Sequence, residues 1–409
     1  MKILQVNNVY HHGSTGKITY DIRQGLLDRG HEALVCYGRT PKTQDANVIR
    51  ICSEMYSKIN NVRSRITGIM YGGFELSTKR LKNIIRRERP DVVHLQCINC
   101  FFINIYEIVA WLKENRIKTV LTLHAEFMYT ANCGYALDCE NWRTGCGNCP
   151  RLKKETRSWF FDGTHRSFEK MRKAFAGFEK DLTVVSVSPW LRDRAMSSPV
   201  LRDMHHEVIY NGLDTDIFHP WEGEELRQRH QIGNRQVIFH ATPCLSDDPA
   251  HIKGGKFVLE LARRMKDLPA VFVVAGKHRI SGPVPENMIL LGNLADQELL
   301  AQYYAIADAT VLTSKKETFS MVCAESLSCG TPVFGFKAGA PEMISLKEYS
   351  AFVDNGDVLA LQKLLTDYLS GVPFDRKKVA DRAKVVYSRE AMQEQYISLY
   401  RRIINEAAR

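Results

Sequence analysis

Two α/β domains in tandem, each built on its own parallel sheet, are what this sequence predicts. Three observations carry that expectation. Short strand-like runs alternate with helical periodicity along most of the chain, the regime that implies parallel sheets covered by helices. The alternation breaks at HHEVIYNGLDTDIFHP (205–220), where Asn-Gly, two aspartates and a proline read as a linker, and then resumes. Finally, 409 residues exceed one ordinary core, a length that suggests about two or three domains. The expected division is an N-terminal domain over 1–205, a C-terminal domain over 206–385 and a closing helix over 386–409 whose packing partner the sequence does not name.

The first strand, 2–7, runs into HHGSTGKI (11–18), and Ile18, Ile22 and Leu26 then give a helix its apolar face. Strand, glycine turn and helix is the opening unit of a doubly wound domain, where a helix N-terminus can receive an anion. The turn is not the phosphate loop of a nucleotide hydrolase. Only Ser14 and Thr15 separate Gly13 from Gly16, and Ile18 stands where a magnesium-holding hydroxyl belongs. Further strands are expected at 33–37, 92–96, 119–124 and 182–187 in the first half. In the second half they are expected at 236–241, 270–275, 288–291, 309–312 and 332–334, with helices at 256–265 and 297–306. Residues 389–408 read as one long amphipathic helix.

Composition narrows the class. An apolar fraction of 44% and a charged fraction of 25% are those of a soluble globular protein. After Lys2 the apolar run is cut by Gln5, Asn7 and Asn8, so no signal peptide is expected. The most apolar stretch, FFINIYEIVAWL (101–112), is too short to span a bilayer. A cytoplasmic location follows, and the eleven cysteines suit reduced thiols or metal ligands better than a disulfide frame. The net charge of +10 is uneven: residues 1–200 hold 31 Lys+Arg against 19 Asp+Glu, and the remainder holds 25 against 27. KRLKNIIRRERP (79–90) and RLKKETR (151–157) concentrate the surplus, which points to an anionic partner surface.

The most specific chemistry lies in SKKETFSMVCAESLSCGTPVFGF (314–336), where Glu317 and Glu325 stand eight residues apart. A helix is expected to begin near Ser320 and to end before Gly330, placing Glu325 on it and Glu317 in the loop ahead. The unpaired N–H groups around Phe319, Ser320 and Met321 would make an anion site. One carboxylate can accept the two hydroxyl protons of a ribose, and the other can meet a sugar hydroxyl.

Glu-x7-Glu followed by Ser-Leu-x-Cys-Gly-Thr-Pro-Val resembles the donor-site signature of family 4 glycosyltransferases. The resemblance runs through the chain: VIYNGLDTDIF is similar to the family's entry into its C-terminal domain, HIKGGKF (251–257) to its Lys-Gly phosphate site, and GSTG to its N-terminal glycine loop. It implies the GT-B architecture, two Rossmann-like domains with parallel sheets facing across a cleft. It also implies a retaining, metal-independent hexosyl transfer from a nucleoside-diphosphate sugar. By resemblance, Lys253 would pair with the diphosphate, and Gly254 and Gly255 would let the backbone approach it. Glu325 would hold the ribose, and Glu317 with the amides of Phe319, Ser320 and Met321 would address sugar and phosphate. His124 matches the family's active-site histidine, and Gly13 and Gly16 its cleft-lining loop. Two departures stand out. No arginine lies between Arg235 and Lys253, where the family has Gly-Arg, which leaves His240, His251 or Lys256 to replace that cation. And Ala125-Glu126 follows His124 where the family often has Asp.

The second specific feature is CGYALDCENWRTGCGNCP (133–150), with Cys133, Cys139, Cys146 and Cys149 in a C-x5-C-x6-C-x2-C spacing. Four thiols within seventeen residues can close around a structural zinc, although a second Cys-x2-Cys, Cys97 and Cys100, offers another pairing. The loop resembles an element found in the transferases of bacterial surface polysaccharides (colanic acid, O-antigen and capsule types), which favours the quartet beginning at Cys133. The acceptor implied by that subgroup is a polyprenyl-diphosphate-linked glycan, so the enzyme is expected at the inner membrane face, held peripherally on anionic lipid. The alternatives are a non-catalytic nucleotide-sugar binder and a zinc-bearing nucleic-acid binder. Nucleic acid is not an expected partner, because interleaved aromatics and a recognition module are lacking.

Overall fold

The computed structural model describes residues 1–407. Seven strands make a first sheet: β1 Lys2–Asn7, β2 Glu32–Tyr37, β3 Val48–Arg50, β4 Val92–Leu95, β5 Thr119–Leu123, β6 Leu182–Ser186 and β7 His205–Val208. Six make a second: β8 Gln236–Ser246, β9 Ala270–Arg279, β10 Met288–Gly292, β11 Ala309–Leu312, β12 Val333–Phe336 and β13 Ser350–Val353. Each neighbouring pair is parallel, in the orders β3-β2-β1-β4-β5-β6-β7 and β10-β9-β8-β11-β12-β13. Both orders reverse once, at β1/β4 and at β8/β11. At such a reversal the connections leave toward opposite faces, and the crevice beyond the strands' carboxyl ends is where open α/β sheets take their ligands.

The inner strands are buried on both faces, which is why they read as apolar runs. The edge strands β3, β7 and β13, absent from the sequence reading, are three or four residues long and only partly buried. They lack that signature. The expected boundary at 205/206 falls inside β7, a strand of the first sheet. The chain divides instead into Met1–Tyr210 with the segment from Met392, and Asn211–Ala391.

The closing helix, Arg389–Ala407, finds its partner in the first unit. Its Met392, Tyr396, Ile397 and Tyr400 share one core with Ile3, Val92, Val120 and Val185, one residue from each of four strands. Ile18, Ile22 and Leu26 of helix Gly13–Asp28 join the same core. A buried polar chain runs through it: Tyr400 Oη lies 2.7 Å from His94 Nδ1, His94 Nε2 2.8 Å from Thr122 Oγ1, and that hydroxyl 2.9 Å from Tyr396 Oη. Burial pushes the His94 pKa down to about 3, so the imidazole is neutral.

GSTG is not a loop. It forms the first turn of helix Gly13–Asp28, behind His12 at the N-cap. A Cβ on Gly16 would stand 3.2 Å from His11 N and from Val9 Cγ2, and the His11 N–H donates to Gly16 O at 3.1 Å. The glycine lets the segment leaving β1 fold back on the helix start.

Candidate functional site

At the β8/β11 reversal two loops meet. The one after β8 carries Lys253, and the one after β11 carries Glu317. Lys253 Nζ donates to Glu317 Oε1 at 2.6 Å, with both side chains mostly shielded from solvent. The loops are also stitched through the backbone: Thr313 Oγ1 donates to Lys253 O at 3.2 Å, and Lys315 N to Ile252 O at 2.8 Å. Gly254, at φ +63°, passes so near β11 that a Cβ would sit 2.1 Å from Thr313 O. A Cβ on Gly255 would sit 2.7 Å from Ser246 N and O. Both glycines are thus demanded by this packing, whatever ligand the loop receives.

Two helix starts flank the pair. Helix Gly255–Arg264 begins behind Gly254 and helix Met321–Ser328 behind Ser320, neither with a side-chain cap. Their first-turn N–H groups are therefore of the kind that receives anions. Ser320 holds φ +86°, rare for a residue with a side chain, and its buried hydroxyl lies beside the Cys323 thiol. Phe319 is buried and Met321 partly so. The Glu317 loop is tied to the segment after β12, since Glu317 N donates to Ala338 O at 2.9 Å and Ala340 N to Glu317 O at 3.2 Å. Glu325 sits on helix Met321–Ser328 as expected, and its Oε2 accepts from Tyr304 Oη at 3.0 Å. Tyr304 is buried edge-on against Phe239, and desolvation holds its phenol well above the usual range, so it stays a donor. Sequence reading missed this partner, because nothing in QYYAIAD marks one tyrosine as polar-facing.

His124 follows β5 at its carboxyl end, and burial pushes its pKa down to about 4, leaving a neutral imidazole. It stands in the first unit with Gly13 and Gly16, whereas Lys253, Gly254, Gly255, Glu317, Phe319, Ser320, Met321 and Glu325 stand in the second. His240 does not supply the missing cation: it is buried inside β8, its Nδ1 lies 2.9 Å from Val311 O, and desolvation pushes its pKa down to about 4. Lys256 stands over the Phe257 ring at 4.5 Å. The structure shows other cations. β8 and β9 pair beyond the expected strand ends, as far as Ser246↔Arg279, so that exposed Lys277 and Arg279 flank the strand feeding the Lys253 loop. The signal was present in VFVVAGKHR, where alternation weakens but does not stop.

Residues 15–217 match the model for Glycosyltransferase Family 4, and residues 244–370 that for Glycosyl transferases group 1. The chain belongs to the family 4/group 1 glycosyltransferases. Among relatives of this glycosyltransferase is WcaC of Escherichia coli (strain K12), a glycosyl transferase assigned to colanic acid biosynthesis. It is 22% identical over 98% of this chain and 100% of that protein. N-acetyl-alpha-D-glucosaminyl L-malate synthase of Bacillus anthracis is 21% identical over 97% of this chain and 95% of its own. The fold is shared with a glycosyltransferase of Rickettsia africae (TM-score 0.67, 17% identity, 98% of each chain). It is shared also with Anabaena HepE, solved with UDP (TM-score 0.63, 16% identity, 98% of this chain and 99% of that one).

The cysteine loop of the glycosyltransferase is organised by a carboxylate. Glu126, fully buried, accepts from Arg194 Nε and from Ala136 N, each at 2.7 Å, and from Tyr129 Oη. The Arg194 guanidinium lies over the rings of Trp142 at 4.6 Å and Trp190 at 5.0 Å. Glu126 is therefore no stand-in for the family's Asp. It anchors the loop to helix Pro189–Met196. The expected zinc quartet does not fit this arrangement. Cys133, Cys139, Cys146 and Cys149 share the loop as free thiols, but among the described residues no group of three or more His, Cys, Asp or Glu is placed to hold a metal ion. Burial raises the Cys133 thiol and pushes Cys146 up to about 12.

Proposed function

We propose that this glycosyltransferase moves a hexose from a nucleoside diphosphate to a lipid-linked or growing bacterial surface polysaccharide, with retention at the anomeric carbon and without a catalytic metal. The observation that carries the donor part is the Lys253–Glu317 pair between two uncapped helix starts at the sheet reversal. Lys253 and the two helix N-termini would receive the diphosphate and steady the charge that grows on it as the glycosidic bond breaks. Glu325, held by Tyr304, would take the ribose hydroxyls. Neutral His124 would meet a sugar hydroxyl. With no carboxylate base assigned, the departing diphosphate would take the acceptor proton. Support for a uridine nucleotide comes from HepE, whose structures carry UDP and UDP-glucose, and for a surface-polysaccharide acceptor from WcaC. No helix among the described residues is long and apolar enough to cross a membrane, so a lipid-linked acceptor would be met peripherally.

The test is release of nucleoside diphosphate from a panel of sugar nucleotides, with and without a polyprenyl-diphosphate-linked acceptor. NMR would assign the anomer of the product. Acceptor-dependent release with the donor's anomeric configuration kept is expected, and an inverted product would overturn the retaining assignment. Absence of arginine between Arg235 and Lys253 favours one second reading, a nucleotide-sugar binder without turnover. Saturable donor binding with no release under any acceptor would select it.

A further inference from the structure

Helix Glu54–Thr67 in the first unit is amphipathic the wrong way round. Its buried residues are Ser57, Asn60 and Ser64, whereas Met55, Ile59, Val62 and Ile66 stand exposed at spacings of four, three and four. The polar face is used: Ser57 Oγ donates to Cys100 O at 2.8 Å, and Asn60 Nδ2 to Phe101 O at 3.0 Å. Hydrogen bonds hold the helix to the body and turn its apolar stripe outward, the reverse of what burial would select.

A second apolar feature adjoins it. In SWFFDG (158–163), Trp159, Phe160 and Phe161 are all exposed, Phe160 at 68%. Their backbone is nonetheless pinned. Trp159 N donates to Arg65 O at 2.7 Å, Lys153 Nζ donates to Ser158 O and Trp159 O, and a Cβ on Gly68 would sit 2.2 Å from Phe161 O. Phe74 and Leu76, the latter 71% exposed, extend the patch on the other side, with the Arg63 guanidinium 4.9 Å from the Phe74 ring. Scattered apolar residues on a surface are ordinary. Nine on adjoining segments, three of them neighbouring aromatics on a fixed loop, mark an interaction face.

Charge names the partner. Exposed Lys58 and Arg63 lie on the helix, and exposed Lys154, Arg157 and Arg166 flank the aromatic loop. Arg63 also lines a cavity of about 440 Å³ together with Lys170 and Lys173. An apolar stripe with aromatics, fringed by cations, is the composition of a helix lying in a lipid interface. The basic run at 79–90 suits that partner less well, because four of its six cations are engaged: Lys82 with Glu107 at 2.6 Å, Lys79 with Glu75, Arg87 with Glu88, and Arg86 over Trp111.

We propose that helix Glu54–Thr67 and the Trp159–Phe160–Phe161 loop dock the protein on an anionic bilayer, with the helix axis in the interface plane and the aromatics below the phosphates. The proposal deepens the membrane-side transfer proposed above, but it stands on this surface alone. The test uses the full chain and vesicles of phosphatidylglycerol with phosphatidylcholine, against pure phosphatidylcholine. Flotation with the anionic vesicles and a blue shift of tryptophan emission, lost in Trp159→Phe, are expected. Phe160→Ser/Phe161→Ser and Ile59→Ser/Val62→Ser should each lower partitioning by about tenfold or more. Raised salt should weaken the wild type without abolishing its binding. Equal partitioning of wild type and both double variants overturns the proposal, as does an unshifted Trp159. So does loss of a dimer by the variants with no vesicle binding in the wild type, which would assign the face to self-association. UDP binding by calorimetry is the separate arm: its absence from the wild type would count against the proposed transfer and leave the docking result standing.

Discussion

Lys253 Nζ and Glu317 Oε1 stand 2.6 Å apart although 64 residues separate them in sequence. The cation proposed to meet the diphosphate is thereby held in place by a carboxylate that would repel that same ligand. Lys253→Ala should cut turnover by more than tenfold, since one charge-assisted hydrogen bond is worth about 1.5–3 kcal/mol. Glu317→Gln should bind nucleoside diphosphate several-fold more tightly while lowering kcat. Calorimetry and steady-state rates measured together check both. Unchanged values in the two variants would remove the pair from the site.

Tyr304 orients Glu325. Glu325→Ala is expected to cost more than tenfold in kcat/KM, and Tyr304→Phe about fivefold, close to the 1 kcal/mol of an ordinary hydrogen bond. The phenylalanine keeps the packing on Phe239, so the melting temperature should hardly move. Donor KM rather than kcat should carry the Tyr304→Phe effect if the tyrosine acts by holding the carboxylate to the nucleotide.

His94 and His240 are buried neutral, with pKa values pushed down to about 3 and about 4. As pH falls below 6.5, the ordinary histidine value, the unfolded chain takes protons on both residues while the folded chain takes none until near pH 4. Their stability contribution is therefore full above pH 6.5 and is lost on acidification. Each should cost about 1.4 kcal/mol per pH unit over that window. Calorimetric melting at neutral pH and at pH near 5 should show the fall, and His240→Gln should lessen it without removing it, since His94 and His124 remain. A melting temperature constant over that range would contradict this picture.

Glu126→Gln and Arg194→Ala break a buried charge pair from either side, and each should destabilise the first unit by about 3–5 kcal/mol. The cysteine loop should loosen with it, read as faster thiol labelling of Cys133 and Cys146. Zinc analysis of protein prepared without chelator should find well under one metal per chain. One zinc per chain, lost in Cys146→Ser, would mean that the loop closes on metal beyond the arrangement described.

Legibility in the sequence followed burial. Strands buried on both faces, such as β5 and β11, announce themselves as apolar runs, and the short edge strands β3, β7 and β13 do not. At the candidate site, Glu317 and Glu325 could be picked out by their spacing ahead of a helix end, and Lys253 and the glycines through the resemblance of HIKGGKF and GSTG to family motifs. Tyr304 could not, because it reaches its place through helix packing, and Lys277 and Arg279 were passed over where their strand continues past its apolar part. The role of Glu126 was hidden for a related reason. Its partner, Arg194, stands 68 residues away and meets it only through the fold.

Helix Arg389–Ala407 has a consequence for how the chain is made. The residues that complete the core around Ile3, Val92, Val120 and Val185 are Met392, Tyr396 and Tyr400, close to four hundred positions after β1. On the ribosome the first unit emerges early with that face of its sheet only partly covered, by helix Gly13–Asp28, and it must wait through synthesis of the whole second unit for the rest of its cover. At roughly 5–20 residues per second the wait lasts on the order of ten seconds or longer. Apolar surface left open for that long favours aggregation. A fragment ending at residue 210 should stay insoluble unless residues 389–407 are supplied as a separate peptide.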